Sequence, residues 1–359
     1  MKTTPVLLVF LGVMLPAQGS AQEEQPPTAE DYAAKAAAAE AAPLFASDEP
    51  LRLTLRTDIK WLRDVRSDST ETDGTVTFTD PDGSSIERPV EVRTRGNWRR
   101  DKRNCRFPPL RLDFPRSQME GTVFEGQDKL KLVTPCHDSR DDYQRYVMKE
   151  YLIYQAYQLI TPMSFRTRLV EITYEDLAGD YDTRTKLAFL IESDEQMAER
   201  NRAVYQDVEQ FHPARMDATA AVTASVFNFM VGFTDVSQTF FHNSKLIRTE
   251  DGRYVPVGYD FDFSGAVNAR YATPDPSLGL RRVTDRAFRG FCRPELERGW
   301  IAELFLGKRE AIRAAYEGFD LLEEDRIEDM LEYYDEFYEI LENEGRFDRY
   351  VVRACRNWS

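Results

Sequence analysis

Histidine is scarce: the chain of 359 residues holds three, His137, His212 and His242. They stand in separate segments and form no HExxH pair, which argues against a zinc hydrolase. There is no GxSxG, so the usual setting of a hydrolytic serine is missing, and no CxxC, so a catalytic or metal-binding role for the cysteines is disfavoured. Basic side chains are in the minority, 47 Lys and Arg against 62 Asp and Glu, giving a formal net charge of -15. Binding to a nucleic acid or an anionic membrane needs a basic face, so neither is expected as a partner. Beyond the first two dozen residues no apolar run approaches the length of a transmembrane helix.

What is present begins with an export pattern. Lys2 precedes the apolar stretch from Val6 to Leu15, Pro16 breaks it, and Gly19-Ser20-Ala21 supplies small residues, so residues 1–21 read as a signal peptide cleaved after Ala21. The expected location is periplasmic or extracellular, with no integral membrane segment after cleavage. In an oxidising compartment, four cysteines imply two disulfides, and of the three possible connectivities the local one, Cys105–Cys136 with Cys292–Cys355, is favoured. Hydrophobic residues at 42% suffice for a core and charged residues at 30% keep the surface polar, so the chain reads as globular.

Residues 22–49, rich in Ala, Glu and Pro, read as a tether, helical at most between Ala29 and Ala42. From Leu51 the alternation LRLTLRT predicts a half-buried strand. A hairpin follows, turning at Pro81-Asp82-Gly83, and PPLRLDF and KLKLVT add strands. Helical spacing predicts a helix over Asp142–Ile160, then strands over Arg166–Tyr174 and Lys186–Glu192, and a buried helix over Asp217–Val231. Strands at Lys245–Arg248 and Tyr254–Val257 form a second hairpin, and from Trp300 the pattern is helical, ending in an acidic amphipathic helix. The expected fold class is α+β, with a β-rich lobe over about 50–192 and a mainly helical lobe over about 193–359.

Functional-looking residues are densest between Gly232 and Gly265. Asp235 follows a buried helix, Asn243 lies eight residues on, and after a hairpin come Asp260 and Asp262 in YDFD. This order matches the parts of a phosphotransfer site: an Asp to deprotonate the acceptor hydroxyl, an Asn on the metal, and a further Asp on the metal. Mg²⁺ accepts such hard oxygens and keeps several waters. The same residues also suit a helix cap, a turn and a strand end. Upstream, RTRGNWRR (Arg93 to Arg100) concentrates arginines whose planar forks suit phosphate oxygens or, equally, surface carboxylates. Lys129 and Lys131 share one face of a strand, and one of them could contact phosphate, oriented by Glu150 or Arg145 from the next helix.

Taken together, RTRGNWRR, the K-L-x-L strand, a helix, a strand pair ending in Leu190-Ile191-Glu192, and TD…HN…YDFD resemble the CotH-type kinases, named for a spore-coat protein kinase. The similarity runs from about Arg93 to Gly265. It implies a two-lobed protein-kinase-like fold and transfer of the γ-phosphoryl of ATP, with Mg or Mn, to Ser or Thr hydroxyls of an envelope or extracellular protein. It further implies Asp235 as the catalytic base, Asn243 and Asp260 as metal ligands with Asp262 in support, Arg95 and Lys131 as phosphate contacts, and Glu192 on the strand leading to the nucleotide. The Asn-Gly that commonly precedes that strand is replaced by Asp180 to Thr185, and the Cys105 segment departs from the coat kinases. Two other readings stay open: an inactive envelope binding or assembly protein, and a secreted hydrolase using paired carboxylates.

Overall fold

A computed structural model describes residues 27–80 and 82–358; the expected signal peptide lies outside them. Helix α1 (Ala29–Glu40) opens on a capping box in which Thr28 and Asp31 satisfy each other's backbone donors. This stretch is not a free tether: Lys35 meets Glu199 at 3.3 Å and Leu44 is fully buried.

Strand β1 (Leu51–Thr57) turns Leu51, Leu53 and Leu55 inward, as its alternation predicts. After α2 (Ile59–Val65) come β2 (Thr72–Thr79), β3 (Ser85–Thr94), β4 (Leu110–Asp113) and β5 (Lys129–Val133), then α3 (Asp141–Ile160), β6 (Thr167–Asp176) and β7 (Arg184–Ile191). These seven strands close into a barrel in the order β1-β2-β3-β4-β5-β7-β6. The seam is β1 against β6, paired in parallel from Leu51↔Val170 to Thr57↔Asp176, while the other neighbours are antiparallel. Closure corrects the expectation of a two-lobed, protein-kinase-like fold. Pairing β1 with β6 removes both edges of the sheet, and the resulting cylinder fills its own interior with Leu53, Phe78, Val92, Leu112, Leu132 and Leu190. What remains of the expected class is α+β.

The rest of the chain is laid on the barrel's outside. It contains α4 (Asp194–Arg200), β8 (Ala203–Gln206), α5 (Ala218–Met230), β9 (Ser244–Thr249), β10 (Tyr254–Gly258), α6 (Arg298–Gly307), α7 (Arg309–Glu317) and α8 (Glu324–Glu342). Strands β8, β9 and β10 form a small antiparallel sheet. Outward barrel residues Val133, Leu169, Phe189 and Ile191 share one core with α3, α5 and α8. Both local disulfides are formed, Cys105–Cys136 with Cα atoms 4.8 Å apart and Cys292–Cys355 at 4.9 Å. Among the described residues, no helix is long and apolar enough to cross a membrane.

Candidate active site

The turn after α5 is set by Gly232, whose φ of 65° favours glycine and where a Cβ would fall 1.9 Å from the Tyr333 hydroxyl oxygen. The chain then presents Asp235 and loops back to Asn243, whose side-chain amide donates to the Asp235 carbonyl (2.8 Å) and carboxylate (3.2 Å). Asn243, Phe241 and Asp260 all adopt left-handed backbone, with φ of 50°, 48° and 62°. Such non-glycine positions cost about 1–3 kcal/mol each and gather at functional sites. Asp260 is held there from α3: its backbone N–H donates to the buried Tyr154 hydroxyl at 2.8 Å.

On the outside of the barrel, beside the end of β10, a cavity of about 340 Å³ opens. Its lining draws Arg95 from the end of β3, Lys131 from β5, Asp235 and Asn243 from the loop after α5, and Asp260 and Asp262 from the turn after β10. Six residues singled out from the sequence therefore meet in one place. Glu192 does not line this cavity; its carboxylate is buried, paired with Arg200 at 3.0 Å, and accepts from the Arg166 backbone N–H at 3.0 Å. Of the RTRGNWRR arginines, Arg93 pairs with Glu71 and Arg100 with Asp68, while Arg99 turns inward, its guanidinium 3.8 Å from Asp262 and donating to the Thr134 carbonyl. Arg95 has no ion-pair or side-chain hydrogen-bond partner among the described residues, so its guanidinium faces the cavity uncommitted.

The electrostatics divide the site into two halves. On the acidic side, burial and then the Asp260 charge push the Asp262 carboxyl up to about 7, against the pull of Arg99 and a hydrogen bond from Tyr271 at 3.0 Å. On the basic side, burial lowers the Lys131 ammonium to about 8 although Asp194 accepts from it at 2.5 Å, because Lys245 and Arg95 repel it. Lys245 shares the other Asp194 oxygen at 3.1 Å; burial opposes its charge, but Asp194 and two tyrosines raise it above the ordinary lysine value. Both ammonium groups lie near the Tyr259 ring, at 5.0 and 5.2 Å from its centre.

Sequence reasoning assigned no role to Asp194, Lys245, Tyr259 or His242, although the last two lie within the HN and YDFD motifs. His242 bonds Asp235 at 3.0 Å, and that bond chiefly raises its pKa. The proposed lysine partners also differ: Arg145 pairs with Glu323 at 2.8 Å, Glu150 is buried without an ion-pair partner among the described residues, and Lys131 is left to Asp194. HNSKL offers one faint signal for Lys245, since strand alternation places it on one face with Ile247, but nothing in the sequence joins it to a residue fifty positions earlier.

The residues of the acidic half that could hold a cation are Asp260, Asp262 and Asn243. The Asp260 charge bears on the buried Asp262, a cost that a bound cation would offset, and Asn243 has an amide oxygen to offer. Among the described residues, the one trio of carboxylates with ligand atoms within 4.8 Å of one another lies elsewhere, at Glu71, Glu91 and Asp113 on the barrel surface. The carboxylates of the cavity do not come together as such a group. Compared with known proteins, the chain matches no family model and no curated protein.

Proposed function

We propose that the cavity is a phosphotransfer site and that the protein, exported from the cytoplasm, transfers the γ-phosphoryl group of ATP to a Ser or Thr hydroxyl of an envelope or extracellular protein. The observation that carries this reading is the uncommitted Arg95 guanidinium facing the same small cavity as Lys131, Asp235, Asn243, Asp260 and Asp262. Such a set pairs phosphate-binding cations with hard oxygens and a candidate base.

In this reading Asn243 and Asp260 hold Mg²⁺ or Mn²⁺, with Asp262 supporting them, and the ion supplies charge neutralisation at the phosphates. Arg95 and Lys131 bind and orient the phosphate oxygens. The acceptor hydroxyl oxygen forms a bond to the γ-phosphorus while the bridging bond to the β-phosphate breaks and ADP departs with that electron pair. The hydroxyl proton passes to Asp235, which His242 and Asn243 hold in place.

The test is incubation of the oxidised protein with labelled ATP and Mg²⁺ or Mn²⁺, followed by mass mapping of modified residues. Phosphate on a Ser or Thr is the expected outcome. Asp235→Asn should fold normally and lose transfer by at least a hundredfold, whereas a fully active variant would place the base elsewhere. Nucleotide binding without transfer in the wild-type chain would point to the inactive binding role instead.

A further inference from the structure

A second cavity, of about 690 Å³, shares no lining residue with the candidate active site. It lies where the chain runs from Pro43 into β1 beside β6, and Leu321, between α7 and α8, closes another side. Much of its wall is apolar and half-buried, as at Pro43, Pro50, Leu187 and Leu321. Set into that wall is Arg168, the second residue of β6 and 6% exposed. A guanidinium at that depth is ordinarily paired with a carboxylate. Arg99 and Arg200, buried as deeply, each face one, Asp262 and Glu192 respectively. Arg168 has none among the described residues. Its Nη1 donates to the Ser47 carbonyl oxygen, and its Nε is sealed without an acceptor. Nη2 donates to nothing among the described residues and is not sealed, so the end of the fork is what remains for a ligand. The acids nearby do not fill the gap. Glu171 is engaged with Arg52 at the rim, 3.4 Å away, and Asp48 and Glu49 stand exposed to water without bonding the guanidinium. Burial lowers the Arg168 pKa, and Tyr151, Asp48 and Glu49 oppose that only at a distance.

We infer that this cavity binds a small organic monocarboxylate, its carboxylate on the Arg168 fork and its apolar body against Leu187 and Leu321. A carboxylate matches the planar guanidinium and supplies the partner that Arg168 lacks, and the apolar walls take up the rest of the molecule. A doubly charged phosphate fits less well, because it would bring a second negative charge to a wall that already holds Glu49 and Glu171. The site stands whether or not the other cavity transfers phosphate.

The experiment is calorimetric titration of the oxidised protein with octanoate, with acetate and inorganic phosphate as comparison probes. Octanoate is expected to bind at one site, acetate, which lacks the apolar body, at least tenfold more weakly, and phosphate not to displace octanoate. Arg168→Gln, which removes the charge, should weaken octanoate at least tenfold. No octanoate binding to the wild-type protein, or equal affinity in Arg168→Gln, would overturn the site. Acetate binding as tightly as octanoate would reject the apolar body, and displacement of octanoate by phosphate would reject the carboxylate. Should Arg168→Gln not fold, Ala46→Trp decides: Ala46 is exposed and lines the cavity, so the larger side chain should fill it and weaken octanoate at least tenfold. An affinity unchanged by Ala46→Trp suffices to reject the site.

Discussion

At Lys131 the ammonium group is nearly sealed, bonded to one oxygen of Asp194 and pressed by two other cations, so its charge is lost near pH 8 instead of near the ordinary 10.5. Two consequences follow with opposite signs. Anion affinity needs the charged form, so it is complete below pH 8 and falls as pH rises through that value. Stability moves the other way: between about 8 and 10.5 the unfolded chain binds more protons than the folded one at this residue, so its contribution rises with pH. Nucleotide affinity measured by calorimetry from pH 6.5 to 9.5 should therefore drop several-fold at the alkaline end. Lys131→Arg, which stays charged throughout, should flatten that limb, and a limb unchanged by the substitution would mean another group titrates. The residue itself was legible in KLKLVT, because alternation put it on the outward face of β5. Its environment was not, since Asp194 and Lys245 reach it through pairings sixty to over a hundred residues away in sequence.

Among elements, α3 links the barrel, the helices and the cavity. Its register follows from the periodic Val147, Tyr151 and Tyr154, which is why the sequence predicted nearly its full length. The hairpin of β9 and β10 was equally legible, because Asp251-Gly252 supplies the turn, Gly252 with φ of 85°, between two short apolar runs. Strand β8 was missed: AVYQ is too short to carry a pattern and pairs only because β9 offers an edge. The link from α3 to the cavity can be tested at Tyr154. Replacing it with Phe keeps the ring packing and strips the acceptor from the Asp260 N–H, leaving a buried donor that costs about 1–3 kcal/mol. Urea unfolding of Tyr154→Phe should show that loss at an unchanged slope, together with a smaller rise in melting temperature on adding Mn²⁺. A loss of a few tenths of a kcal/mol would mean that water takes over the bond.

For the molecule as a whole, the decisive feature is the one the sequence did not disclose, closure of seven strands by a parallel seam between β1 and β6. A half-buried strand reads the same whether its sheet is open or closed, because alternation reports which face is covered and not which edge is paired. Closure has a mechanical consequence. Arg95 and Lys131 stand on a rigid cylinder, Asp235 and Asp260 on elements packed against α5, and the outward barrel residues Phe189 and Ile191 belong to the same core as α3, α5 and α8. The barrel interior is a core of its own, but because its outward face is buried in the core of the helices, barrel and helices should unfold as one unit. Ile191 is fully buried at that junction, and Ile191→Ala should cost about 2–5 kcal/mol. Hydrogen exchange should then show equal losses of protection in β5, β7, α5 and α8. Loss confined to the helices, with barrel amides unaffected, would mean that the two halves fold independently and that relative motion at the cavity is permitted.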